Sequence, residues 1–494
     1  MNLVRISSEP NHNTTVANLM NHALPSDPTF HDIRRHCHGE VPLVGRLEPW
    51  MEQLLRHPRL PELVAEHGSP LNVISSNPMR DNVQELNEIA ASRGLDFRVF
   101  FARKSNKCLH FVDTANALNI GVDVASENEL RQSFDRGTDS SSLICTAAIK
   151  DESLLRLCLD KNVCVAIDNR DELEVTGELA RSSGHTAKIA LRLGGFVHQR
   201  QKLPTRFGFD VERDIDLASQ LSDYPVRVEG IHFHLDGYDA DQRVSGIVAA
   251  MDWVKALRSH GHLPTFIDMG GGFPISYLND GENWERFWDE LRSALRGQRE
   301  PLTYRGHGLG LVNFKDDVIG KPNSYPYFQS LTRADWLKKI LDTRINGETI
   351  SKLLKDSNLQ LRCEPGRSLM DGCGLTLARV EYRKQNADGE WLVGLSMNRT
   401  QCRTSSDDFL VDPILIPSGG KRDPITGYLV GSYCTESELL TLRKLHFPSG
   451  VRRGDLVAFP NTAGYLMHFL ESRSHQFPLA ENLTFEQCTE YFSR

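Results

Sequence analysis

The chain has 494 residues, 39% of them hydrophobic and 25% charged, and carries a formal net charge of −8. This composition excludes a disordered, collagenous or fibrous protein, and the acidic balance argues against a nucleic-acid or anionic-membrane partner. No apolar run reaches the ~18 residues that a membrane helix needs, and the polar opening MNLVRISSEPNHNTTVANLMNH has no signal core, so a cytoplasmic location is expected.

The first residues, 1–40, are Asn- and His-rich and weakly patterned, and read as an extension. Within them His36-Cys37-His38 invites a metal, but adjacent residues close on one ion only with strain and no second ligand cluster follows, so no metal is expected. The ten cysteines form no CxxC pair, and Cys158 and Cys164, in apolar text, read as buried thiols. Residues 41–75, including SPLNVISS, are expected to lend strands to a later β domain. A helix is predicted over 80–93, where Val83, Leu86, Ile89 and Ala90 recur three and four apart.

From there strands and helices alternate. Strand candidates end at Lys104, Ser126, Ala148, Asp168, Gly194, Leu235, Gly271 and Glu364. Helical text lies in CLHFVDTANALN, ENELRQSFDRG, DESLLRLCLDKN and RVSGIVAAMDWVKALRSHG. Eight such units predict an α/β fold, a (β/α)8 barrel over 76–369, with a doubly wound open sheet as the alternative. The stretch between Pro274 and Glu364 is too long for a loop in a compact domain, so an insertion with helices such as TRADWLKKILDTRI is expected at about 280–350. After Arg367 the texture changes. Two alternating strands around Asn386–Gly389, then DPILIP, GYLVGSYC and DLVAFP, predict a mostly antiparallel β domain over 370–494.

The unusual residues fall at strand ends: Lys104, Asp123, His234, Gly270, Gly271, Gly272, Glu364 and Arg367. In such barrels the strand C-termini form one mouth, so these groups should converge. Three residues without Cβ let backbone N–H groups approach an anion. In Glu364-Pro-Gly366-Arg367 a tight turn holds an acid beside a guanidinium suited to phosphate. A lysine at the end of an apolar strand is expected to be desolvated, with a lowered pKa and a nucleophilic amine. Each feature has a bland reading too: a turn, a satisfied histidine, an internal ion pair, a surface lysine. Together they match the needs of pyridoxal phosphate, namely a Schiff-base lysine, an acid for the ring nitrogen and a phosphate cradle.

The motifs resemble those of fold-type III pyridoxal-phosphate enzymes, the ornithine and diaminopimelate decarboxylase group, in family order from Lys104 to Tyr465. FARKSN resembles the cofactor-lysine motif, which assigns Lys104 to the Schiff base. His234 in FHLDG matches the ring-stacking histidine, and DMGGGFP the phosphate loop. In EPGR, Glu364 matches the acid on the ring nitrogen, with Gly366 and Arg367 on the phosphate side. SYCTESELL resembles the motif that a partner subunit supplies, implying Cys434 as proton donor and Glu436 as a substrate contact; Asp123 and Tyr465 complete the cofactor set, and Arg403 is a further substrate candidate. The resemblance implies an alanine racemase-like barrel plus β domain, a homodimer with shared sites, and an amino-acid substrate. The chain departs from the family at His234-Leu-Asp-Gly237, where a Ser usually follows in a His-Val-Gly-Ser pattern, in Thr435 before Glu436, and in its longer 275–363 segment. The implied activity is decarboxylation of a diamino, other polar or conjugated amino acid. A racemase on the same cofactor and a non-catalytic regulator are the alternatives; the acid Glu364, where racemases of this fold carry an Arg, and the intact residue set speak against them.

Overall fold

The computed structural model describes residues 33–315, 317–404, 409–420 and 422–494. The extension expected over 1–40 lies outside the described residues up to residue 32. Eight parallel strands close a barrel: β1 (Phe97–Ala102), β2 (Gly121–Val124), β3 (Leu143–Cys145), β4 (Cys164–Ile167), β5 (Ala187–Gly194), β6 (Val226–Phe233), β7 (Phe266–Asp268) and β8 (Gln360–Cys363). Each pairs in parallel with the next in chain order, and β8 pairs with β1, so the ring has no edge. The open sheet is thereby excluded. The strands are short and apolar because both faces are covered; β2, β3 and β4 are buried at every residue.

Helices follow the strands and are started by polar caps at the mouth. Ser126 accepts from the Glu129 N–H, Asp151 from Leu154 and Asn169 from Glu172, satisfying donors the first turn leaves open. The helix Arg170–Ser183 escapes the sequence pattern, because Val175 faces solvent and Gly177 interrupts its apolar stripe. Among the described residues no helix is long and apolar enough to cross a membrane.

The second sheet is mostly antiparallel. Its long strand Gly374–Gln385 pairs with Trp391–Leu395 through the turn at Asn386–Gly389, and with Leu456–Pro460 and Leu71–Ile74. Chain from before the barrel is thus stitched into the sheet, and His38 and Gly39 add a short pairing with Leu445 and His446. The 275–363 segment bridges the two sheets. Its Tyr277, Phe287, Trp288 and Tyr327 share a core with Val380, Val393 and Phe459 of the second sheet and with Phe409. Its helix Arg333–Asp342 returns Trp336, Leu337, Ile340 and Leu341 to the barrel core.

One buried ion pair fixes the N-terminal strap. Arg443 Nη1 lies 2.6 Å from Asp412 Oδ1, and Arg443 also donates to the Leu410 and Val41 carbonyls. Asp412 accepts the Gly39 and Leu43 N–H groups at 3.0 Å each. Removing one partner leaves the other charge buried and unpaired, so Asp412→Ala is expected to cost about 3–5 kcal/mol. Asp412→Ala with Arg443→Met is expected to cost less than the single change. Thermal or denaturant unfolding of both variants checks the order.

Candidate active site

The turn after β1 carries Lys104 and is built by its neighbours. Arg103, buried beneath it, donates to the Asn106 and Lys107 carbonyls and to Gln132. Asn106 donates to the Ala463 carbonyl at 2.9 Å, and the Tyr465 N–H donates to Ser105 O at 2.8 Å. These bonds dock the 463–465 segment on the lysine turn and bring Tyr465 to the mouth. Tyr465 sits at φ 71°, and a Cβ on Gly366 would lie 2.3 Å from its hydroxyl, so only glycine fits under the ring.

Lys104 Nζ is 2.9 Å from Asp123 Oδ2, and Asp123, at the end of β2, is fully buried. Thr146, just past β3, donates its hydroxyl to the other carboxylate oxygen. The expected lowering of the lysine pKa is overturned. Burial pulls it down, but the adjacent Asp123 charge, aided by Tyr465 and Glu364, carries it above its ordinary value. Lys104 is therefore held as an ammonium by Asp123.

Glu364 follows β8 and is buried at the base of the mouth. Both its carboxylate oxygens lie 3.3 Å from His232 Nε2, with Oε2 in hydrogen-bonding geometry. Burial and the Asp123 charge push Glu364 up to about 8. Asp268, at the end of β7, is pushed to about 7 by burial and Glu364. His232 is driven down to about 3 by burial and Arg192, and so is neutral. His234 is also held well below its ordinary value, by burial first and the Lys104 charge second.

The glycine loop rests on these groups. Gly270 and Gly272 adopt φ 67° and 80°. A Cβ on Gly270 would lie 2.5 Å from the Phe233 carbonyl, and on Gly272 2.3 Å from an Arg243 nitrogen. The Gly271 N–H donates to His234 Nδ1 at 3.3 Å, and the Glu364 N–H to the Gly270 carbonyl at 2.9 Å. Arg367 donates to the Tyr277 hydroxyl at 3.0 Å and the Gly464 carbonyl at 3.2 Å, with its guanidinium 4.2 Å from the Tyr325 ring centre.

The fold thus brings together Lys104, Asp123, His234, Gly270–Gly272, Glu364, Gly366, Arg367 and Tyr465. Cys434 and Glu436 are exposed on the 431–438 loop and make no hydrogen bond or ion pair with these residues. Arg403 donates to the Leu439 carbonyl at 2.7 Å, at the base of that loop. Sequence reading misses Thr146, His232, Arg243, Tyr277 and Tyr325, whose roles arise from contacts between distant strands; only His232, two residues before His234 on β6, carried a local signal. His232, Asp268 and Glu364 also have ligand atoms within 4.8 Å of one another, but they belong to this acid cluster.

The residues present fit pyridoxal phosphate: an amine at a strand end, a buried acid, a neutral imidazole, and a glycine cradle that any Cβ would fill. Comparisons with known proteins agree. Residues 79–303 match the family model described as pyridoxal-dependent decarboxylase, pyridoxal binding domain. The chain is 31% identical over 431 residues to the uncharacterized protein y4yA of Sinorhizobium fredii, covering 85% of this chain and 89% of that one. It is 23% identical over 420 residues to a diaminopimelate decarboxylase of Zymomonas mobilis, covering 82% and 85%. The fold matches a lysine decarboxylase structure from Selenomonas ruminantium with a TM-score of 0.64 at 19% identity, covering 91% of this chain and 99% of that one. With its closed barrel, its second sheet and its cofactor-fitting mouth, the chain belongs to the fold-type III pyridoxal-phosphate-dependent amino-acid decarboxylase family.

Proposed function

We propose that the chain decarboxylates a diamino, other polar or conjugated amino acid, with Lys104 as the residue that bonds the cofactor aldehyde. The observation that carries this reading is the convergence of Lys104, His234, Glu364 and the glycine loop on one barrel mouth. Relatives named as diaminopimelate decarboxylases, and a structural neighbour named as a lysine decarboxylase, support an amino-acid substrate with a second polar end.

Bound pyridoxal phosphate supplies an electron sink for the pair left at Cα when CO₂ departs. The protein's part is to hold protons and exclude water. Asp123 holds the Lys104 proton and is the nearest acceptor when that amine must become a nucleophile. Glu364 would hold the ring nitrogen; pushed up to about 8, it has a proton to give at neutral pH. His234, kept neutral, would lie against the ring face. The backbone of Gly270–Gly272, Arg367 and Tyr465 would hold the phosphate.

Cys434 would return a proton to Cα, and Glu436 and Arg403 would face the distal end of the substrate, all from the partner subunit of a homodimer. Exposure of Cys434 and Glu436 within one chain supports that arrangement. A racemase reading would want a tyrosine base here, but the Tyr433 hydroxyl donates to Ser472 O at 3.2 Å and its ring stacks on His475.

Glu364→Gln is expected to retain the cofactor but lose turnover by about a hundredfold or more, since the amide has no proton to give. The same variant tests the buried proton. The unfolded chain releases it near 4.5 and the folded chain near 8. The folded state therefore binds more protons across that interval, and stability falls as pH rises through it. Denaturant unfolding of the cofactor-free protein from pH 5 to 8 is expected to show this slope, and Glu364→Gln to make it shallower.

A mixing experiment tests the shared site. Lys104→Ala and Cys434→Ala chains are expected to be nearly inactive alone. After random exchange about half the dimers are mixed, each with one intact site, so about a quarter of wild-type activity returns. Recovery of none, with exchange shown by mass, places the site within one chain.

A further inference from the structure

Arg243 lies on the helix Ala240–Ser259, behind the two loops that form the phosphate side of the mouth, and is wholly buried. Among the described residues no carboxylate pairs with it. One of its nitrogens, Nη2, donates to three carbonyls: Leu235 at 2.8 Å, Gly237 at 3.1 Å and Gly271 at 3.3 Å. Nε and Nη1 have no partner. Burial lowers its pKa to about 10, which leaves it a cation at neutral pH. The Trp336 ring, 5.7 Å away, closes the space behind it, and Trp336 is fixed by donating to Tyr238 O at 2.7 Å.

Asp236 and Asp239 favour its charged form without a direct ion pair, and a guanidinium buried with no ion-pair partner is costly, so its placement calls for a compensating role. In a trans peptide the N–H points opposite to the C=O. Turning the Leu235, Gly237 and Gly271 carbonyls toward Arg243 therefore turns the Asp236, Tyr238 and Gly272 N–H groups the other way. None of those three N–H groups donates a hydrogen bond among the described residues. Gly272 can pack against Arg243 only because it lacks a Cβ. Gly237, at the end of the first loop, has no side chain to offer a hydroxyl.

We propose that Arg243 is a positioning residue for a phosphate monoester dianion. It gathers three carbonyls of the 235–237 and 270–272 loops behind the cradle, presents the opposing N–H groups to the phosphate, and supplies a fixed positive charge behind them. The proposal rests on the reading of this mouth as the cofactor site. Backbone N–H groups oriented into one concavity bind an anion.

The test compares pyridoxal phosphate with pyridoxal, which shares the aldehyde and ring but lacks the phosphate. Dissociation constants are measured on the cofactor-stripped full chain, for the wild type, Arg243→Met and Arg243→Lys, with thermal unfolding to confirm the fold. The proposal predicts at least a tenfold weakening of pyridoxal phosphate in Arg243→Met, with pyridoxal binding unchanged, and a smaller selective loss in Arg243→Lys. It also predicts that the ³¹P shift of the bound cofactor, independent of pH in the wild type from pH 6 to 8, becomes pH-dependent in Arg243→Met. Equal weakening of both ligands, or no change for the phosphate form, overturns it. If Arg243→Met does not fold, the Arg243→Lys comparison decides alone by the same criterion. Failure of the wild type itself to bind either aldehyde at Lys104 overturns the parent reading, and is seen without any Arg243 variant.

Discussion

The ion pair between Lys104 and Asp123 sets the electrostatics of the whole mouth. Closing eight parallel strands forces the polar groups at their ends into one water-poor space. There Asp123 and Glu364 act on a single lysine, and Asp268 and His232 cluster with Glu364 behind it. Once Asp123 has taken the ammonium at 2.9 Å, a second ionised acid would sit next to the first in a low-dielectric site. Burial, joined by the Asp123 charge at Glu364 and by Glu364 at Asp268, lets both acids keep their protons toward neutral pH, and burial holds both histidines neutral. The outcome is one committed charge pair beside acids that keep their protons.

The bridging segment gives this mouth its rigid wall. Tyr277 and Tyr325, from the 275–363 stretch, converge on Arg367, and their rings stand 5.6 Å apart at a steep angle. Phe287, Trp288 and Tyr327 anchor the same stretch in the second sheet, while Trp336 anchors it in the barrel. The same stretch is therefore the mechanical link between the two sheets and the Arg367 side of the mouth.

Much of this architecture was legible in the sequence. All eight barrel strands were visible because strands covered on both faces read as short apolar runs, and the polar residues that end them gave Lys104, Asp123, His234 and Glu364 their common location. The Asn386–Gly389 turn was visible through its turn residues. What stayed hidden depended on tertiary meetings. The lysine was read as a depressed amine because its partner Asp123 lies on the next strand, beyond the reach of local text. Arg243 looked like an ordinary helix residue until two loops from β6 and β7 folded their carbonyls onto it. The helix Arg170–Ser183 was missed because its buried stripe of Leu173, Thr176, Leu179 and Ala180 is narrow and partly polar.

The central claim is that the amine held by Asp123 is the one that bonds the cofactor. Borohydride reduction of the cofactor-loaded protein, followed by peptide mapping, tests it most directly. The account predicts a single label on Lys104, within FFARKSNK, and no label at that peptide in Lys104→Ala. A label on any other lysine would contradict the account, and with it the assignment of the barrel mouth as the catalytic centre.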